Sequence, residues 1–328
     1  MKRFYQVTAI FFAILLFVLF NVGMYQLFTR RLSNNFSGAT QAQMIDVGRY
    51  LPHNDGSDLP KIESSLKLTE ALPVLDGAAA LVPVYASVID NVYPEDSVTY
   101  IGGEFSSDNY YGENFAPDSV MQYKNTVRGY KAIVDGETDI LFCAAPSAQQ
   151  KKYAEEKGVE LVYVPIGLEG FVFFVNKNNP VDSLETEQIR KIYSCEYTNW
   201  SDVGGADRII NPVTRLEGSG SQTAFEAFMG EYKIGRKSPL AITGASIGFS
   251  FRYYMDGIVE NENVKMIALN GVYPSEENIK KRTYPIVSQF YAVYRKDNKN
   301  ENIPVLVDWL LSDEGQTLIE ETGYVRIK

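Results

Sequence analysis

The chain has one histidine, two cysteines and two tryptophans in 328 residues. The lone histidine, His53, narrows the chemistry first. A Ser-His-Asp or Cys-His mechanism has to use it, and a histidine-based metal site has no second ring to recruit. It stands in the polar run His53-Asn54-Asp55-Gly56, where a solvated loop is expected. The cysteines, Cys143 and Cys195, are far apart and lack C-x-x-C metal spacing. Two buried free thiols are expected, with one disulfide left open as the alternative. Basic residues are also short, 31 Lys plus Arg against 41 Asp plus Glu, a net charge of -10. That argues against a nucleic-acid partner, whose phosphates are neutralised by basic surface. It does not exclude a small anion, which a few local donors hold. No internal repeat and no long low-complexity tract is found, and no cofactor motif, so no cofactor is expected.

Apolar residues make up 45% of the chain, with 22 Tyr and 18 Phe, enough for a sizeable core. The N-terminus opens with Met1-Lys2-Arg3, and no charged residue follows from Phe4 to Thr29. Val7 to Val22 is nearly continuous apolar sequence and, extended to Phe28, reaches the length of about 20 residues that a bilayer span needs. It ends in Gly23-Met24-Tyr25-Gln26-Leu27-Phe28, without the small residues of a cleavage site, and no cysteine is near for lipid attachment. Residues 1–30 are therefore expected to be an uncleaved signal anchor, a single-pass transmembrane helix in the cell membrane with the globular part extracytoplasmic. Lys2 and Arg3 are opposed by Arg30 and Arg31, so the charge rule for orientation nearly balances. Residues 31–73, with Ser33-Asn34-Asn35, Asn54-Asp55-Gly56 and Pro60, read as a polar spacer. Asn35-Phe36-Ser37 is a chance match to a glycosylation acceptor.

From Leu75 the texture changes. Helices are expected over Val82 to Val92, over Val127 to Val134 before Asp135-Gly136, and over Ser183 to Tyr193. Strands are expected over Ser97 to Ile101, Thr138 to Cys143, Glu160 to Val164 and Gly170 to Asn176. Short apolar strands alternating with helices predict an α/β fold with mostly parallel sheets.

The chemistry lies in one loop. Arg215 follows the strand-like Ile209-Ile210-Asn211-Pro212-Val213-Thr214, while Arg208 reads as a solvated surface residue. After Arg215 come Leu216, Glu217 and Gly218-Ser219-Gly220-Ser221, and then the helical Gln222 to Met229. A glycine-rich turn opening a helix presents backbone N–H groups and the positive end of the helix dipole. Ser219 and Ser221 add hydroxyl donors. Arg215 adds a planar guanidinium that grips an oxyanion bidentately, and Glu217 is the side chain expected to steady it. The bland reading is a capped helix start beside a surface arginine. The loop is not a P-loop, since the Gly-Lys-Ser/Thr ending is missing.

Several stretches together resemble the phosphate-binding, PstS-like substrate-binding proteins of ABC transporters, which have the type II periplasmic-binding-protein fold. They are Asp76 to Tyr85, Ile192 to Gly205, Arg215 to Gln222, Ile247-Gly248-Phe249, Ser312 to Gln316 and Gly323-Tyr324-Val325. They run in the family's order from about Leu75 to the C-terminus. The resemblance implies two α/β lobes joined by two crossover strands, near Val164-Pro165-Ile166 and Tyr284-Pro285-Ile286. Lobe one is then residues 74–165 and 284–328, and lobe two residues 166–283, with ligand in the cleft between them. It further implies inorganic phosphate or a similar oxyanion as ligand, an ABC permease as partner, and no enzymatic activity.

Carried over residue by residue, Arg215, Ser219, Gly220 and Ser221 match the second-lobe half of the family's site. The first-lobe half departs from it. Ala78 and Ala79 stand where a Ser or Thr hydroxyl is usual, leaving the N–H groups of Ala79 and Ala80. Asn125 or Thr126 stands in for a helix-start serine. Ala144 aligns with an acidic residue that accepts the proton of hydrogen phosphate. Losing one charge-assisted and one neutral hydrogen bond weakens binding by about 10²- to 10³-fold. These departures motivate an alternative, a membrane-tethered sensor or interaction module with weak or no phosphate binding. A hydrolase is disfavoured, because no nucleophile–base pair and no metal cluster is present.

Overall fold

The computed structural model describes residues 15–24, 45–102, 114–237 and 244–327. The strands are β1 Leu75–Gly77, β2 Ile140–Ala144, β3 Leu161–Asn176, β4 Ser183–Leu184, β5 Ile210–Pro212, β6 Ala245–Phe251, β7 Val264–Met266, β8 Ala268–Leu269, β9 Val287–Arg295 and β10 Val325–Arg326. The helices are α1 Val82–Val92, α2 Asn125–Asp135, α3 Ala148–Glu156, α4 Thr186–Tyr193, α5 Gly220–Met229, α6 Glu276–Lys280, α7 Asn302–Leu311 and α8 Asp313–Glu321. A π-helical turn, Tyr254–Val259, follows β6.

The main sheet runs β1-β2-β9-β3-β6-β5, with β7 and β10 also paired to β3. It is mixed, which corrects the expectation of mostly parallel sheets. β1 with β2 and β5 with β6 are parallel, but β9 is antiparallel to β2 and β3, and β3 is antiparallel to β6, β7 and β10. The cause is β3, which is 16 residues long. Its first part pairs with β9 from Leu161 to Gly170, and its second part pairs with β6 from Phe171 to Val175. The two strands expected at Glu160–Val164 and Gly170–Asn176 are thus one, with its register shifted between Pro165 and Gly167. An irregularity of this kind is where a strand tolerates a proline. The strand expected at Ser97–Ile101 does not form; Glu95–Ser97 is a 3-10 turn and Tyr100 makes one isolated bridge to Phe115.

Phe171 to Val175 are buried in succession, as a strand covered on both faces requires. Their rings meet those of α4 and α5. Phe225 of α5 stacks on Phe249 of β6 at 4.2 Å between centroids and 7° between planes, and Tyr193 lies 4.5 Å from Phe225. This aromatic cluster fixes α5, and with it the glycine-serine loop, against the sheet. α1 is buried along its whole length, opens with Pro83 in its first turn and stops before Pro94.

The segment expected as a polar spacer is packed from residue 45 onward. Val47, Tyr50, Leu59 and Leu68 are buried. The Asn91 side chain of α1 accepts from the Ile62 N–H at 2.8 Å and donates to the Pro60 carbonyl at 2.9 Å. Single apolar anchors between polar residues carry no periodic signal, so the sequence hides this arm. His53 belongs to it and is not the solvated loop residue expected. Its Nδ1 lies 3.6 Å from Asp90, and burial pulls the imidazole below its ordinary range. Cys143 is buried, Cys195 is partly buried, and both are free thiols. Residues 15–24 are helical and largely exposed. No helix among the described residues is long and apolar enough to cross a membrane. The rest of the expected span over residues 1–30, and residues 31–44 with Asn35, lie outside the described residues.

Candidate functional site

The glycine-serine loop leads directly into α5. Gly218 has φ +78°, a left-handed conformation that glycine adopts without strain. Ser219 is the N-cap of α5, its Oγ accepting from the Gln222 N–H at 3.3 Å. That leaves the hydroxyl proton of Ser219 to donate. Gln222 Oε1 in turn accepts from the Arg215 N–H at 2.9 Å and anchors the other end of the loop. The Arg215 guanidinium donates to Ser250 Oγ at 3.3 Å, and its Cζ lies 5.7 Å from the centroid of Tyr254. Burial lowers the Arg215 pKa from its ordinary value, and Tyr254 opposes this. Glu217, expected to steady Arg215, is exposed.

Two more helix starts face this loop. Ala79 and Ala80 form the first turn leading into α1, where N–H groups have no acceptor in their own helix. Tyr324 donates its hydroxyl to the Ala80 carbonyl and fastens that turn. Thr126 is buried in the first turn of α2. A Cβ added to Gly220 would lie 3.6 Å from Ala144 Cβ and 3.9 Å from Thr126 Oγ1, so three segments distant in sequence converge here. Arg215, Ser219, Gly220, Ser221, Ala79, Ala80 and Thr126 all line one cavity of about 70 Å³, together with Ala78, Asn125 and Ala144. By that measure one water takes roughly 10–15 Å³, so there is room for about five waters. Ser250, Tyr254, Glu169, Phe290 and Tyr324 also line it and were not found from the sequence. Among the described residues no His/Cys/Asp/Glu cluster suits a metal.

Asp76 braces the site from behind. Its Oδ1 accepts from the N–H groups of Gly77 at 2.7 Å and Lys124 at 2.9 Å, tying the turn before α1 to the start of α2. The side chain is fully buried, and burial pushes its pKa up to about 6 from 3.8. Folding thus favours the protonated form. The stabilisation is complete below pH 3.8 and is lost as pH rises through about 6. The gap corresponds to about 3 kcal/mol. Urea midpoints of the wild type are expected to rise between pH 7 and pH 5 more than those of Asp76→Asn. Parallel pH profiles for the two proteins would contradict this.

A family model described as a PBP superfamily domain matches residues 108–314. The chain belongs to the PBP superfamily. Within it, the chain is similar to protein SphX of Synechococcus elongatus, 24% identical over 298 residues, covering 79% of this chain and 87% of that protein. It is also similar to the phosphate-binding protein PstS of Borreliella burgdorferi, 25% identical over 197 residues, covering 54% and 69%. The phosphate-binding protein PstS of Staphylococcus epidermidis is 27% identical over 220 residues, covering 61% and 67%. Among solved structures, a Clostridium perfringens chain described as a phosphate ABC transporter substrate-binding protein with bound phosphate has a TM-score of 0.56 at 23% identity, over 80% of this chain and 100% of that one. An ABC-type phosphate transport receptor from Vibrio cholerae has a TM-score of 0.51 at 21% identity, over 79% and 99%. These structures share the PBP-superfamily fold with this chain.

Proposed function

We propose that the chain is an extracytoplasmic solute-binding protein that holds phosphate or a related oxyanion in this cavity and delivers it to an ABC permease. The activity is binding, not turnover. The observation that carries the reading is convergence. A guanidinium, three serines and the starts of three helices meet in one cavity with room for a tetrahedral ion. Curated relatives named as phosphate-binding proteins support it.

The division into lobes of residues 74–165 with 284–328, and 166–283, is part of the same proposal. Its support is that β3 and β9 run together between the two sheet regions and that the cavity draws on residues from both sides. Hinge closure over the ligand follows from such an arrangement. Residues 1–30 are proposed as the membrane anchor, supported by the exposed Leu16, Phe17, Leu19 and Phe20 on the helix at residues 15–24. Titration calorimetry of the chain with phosphate and with sulfate tests the binding. Both are expected to bind, within about ten-fold of each other, because Ala144 offers no acceptor for a ligand proton and the lost discrimination is worth about one hydrogen bond. No heat and no thermal shift with either anion would overturn the proposal.

A further inference from the structure

Glu169 is the one carboxylate among the residues lining the cavity, and nothing in the oxyanion reading uses it. It is buried on β3, where its Oε1 accepts from the Gly170 N–H at 2.7 Å. Its Oε2 accepts a longer bond, 3.3 Å, from the Tyr253 N–H. A carboxylate offers about four lone-pair sites, so capacity for another donor remains. Arg252 does not saturate it. That guanidinium faces three carboxylates, Glu169 at 3.5 Å, Glu276 at 3.3 Å and Asp256 at 3.9 Å, and the group is net negative when ionised. Burial pushes the Glu169 pKa up to about 7, against the opposing pull of Arg252, so its charged form gains from a further cation.

The strand register separates Glu169 from the anion cradle. Phe290 stands opposite Ala144 on β2 and opposite Gly167 on β3, and Glu169 lies two residues further along β3, opposite Ser288. With strands about 4.8 Å apart and about 3.3 Å per residue, the Cα atoms of Ala144 and Glu169 stand roughly 12 Å apart. An ion held against Gly220 and Ala144 is too small to reach that far. The Phe290 ring fills the interval. It lies over Gly167, where an added Cβ would fall 2.2 Å from the ring, and Tyr324 packs beside it at 5.0 Å between centroids. The cavity therefore has an anion-binding end, an aromatic middle and a carboxylate end.

We propose that the ligand is a small phosphate monoester or phosphonate carrying an ammonium group. Its oxyanion lies on Arg215 and the Ser219–Ser221 turn, its short carbon chain against Phe290, and its ammonium at Glu169. This rests on the oxyanion reading of the cradle and specifies what is attached to the oxyanion.

The test is calorimetry on the full chain in detergent with inorganic phosphate, ethyl phosphate, 2-aminoethyl phosphate and 2-aminoethylphosphonate. At least one of the two amines is expected to bind about ten-fold or more tighter than inorganic phosphate and ethyl phosphate, the worth of one charge-assisted contact. Which amine does so distinguishes the monoester from the phosphonate. Glu169→Gln is expected to remove that advantage, so that the affinity ratio of the amine to ethyl phosphate falls to about one. Binding of both amines no tighter than ethyl phosphate by the wild type overturns the inference without need of any variant. So does an amine preference that survives in Glu169→Gln. Binding of inorganic phosphate with no gain from the amine sinks this inference alone, whereas no binding of any of these probes sinks the oxyanion reading with it.

Discussion

Replacing Arg215 with alanine is expected to weaken oxyanion binding by about 10²- to 10³-fold, the loss of two charge-assisted hydrogen bonds less what water restores. The size of the effect follows from the surroundings. Arg215 comes from the segment after β5, is held by Ser250 and Tyr254, and shares its cavity with the apolar Ala78, Ala79 and Ala144. The other donors at the site are neutral hydroxyls and amides, so no second cation on the cradle takes over. Arg215→Lys keeps the charge but loses the planar fork, and is expected to retain more affinity than the alanine variant while falling about ten-fold below wild type. Calorimetry with phosphate measures both. Unchanged affinity in Arg215→Ala would remove the central residue from the site. Thermal unfolding of each variant without ligand is the control that the fold is kept.

The largest stability effect is expected at Phe225. Its ring stacks on Phe249 at 4.2 Å and touches Tyr193 at 4.5 Å, fully buried where α5 meets the sheet. Truncating a buried phenylalanine to alanine costs about 3–5 kcal/mol, part transfer and part cavity. Urea unfolding of Phe225→Ala is expected to show a loss of that order with the slope unchanged. Phe225 also lies on the helix whose first turn carries Gly220 and Ser221, so oxyanion binding should fall together with stability. A loss of binding without a loss of stability would contradict the packing role. Phe225→Leu, which keeps most of the volume, should recover much of both.

The two effects divide along what the sequence made legible. The loop from Arg215 to Ser221 could be read because its chemistry is contiguous; arginine, glycines and serines precede a helix within a few residues. α1 and α2 could be read because apolar spacing and the Gly136 terminator are local signals. The partners that steady and surround the loop could not. Ser250 and Tyr254 reach Arg215 only because β6 pairs with β3 and a π-helical turn follows it. Glu169 reads as an interruption between two strands, yet it lies within one continuous strand whose register shift absorbs Pro165. Asp76 carries no local sign of burial, which becomes visible only when the Lys124 N–H arrives from the start of α2. The arm around His53 was hidden for a different reason, since its buried residues are too widely spaced to form a pattern.

The first turn leading into α1 has a consequence for how this site is to be mapped. At Ala79 and Ala80 the groups proposed to meet a ligand are backbone amides, and the side chains are already methyls. Alanine scanning is blind to such a contribution. A scan of the cavity would return Arg215, the serines and Thr126, and would portray a one-sided grip even if both sides close on the ligand. Amide-to-ester replacement at these two positions reports on the silent half, because it deletes the amide proton and leaves every side chain as it is.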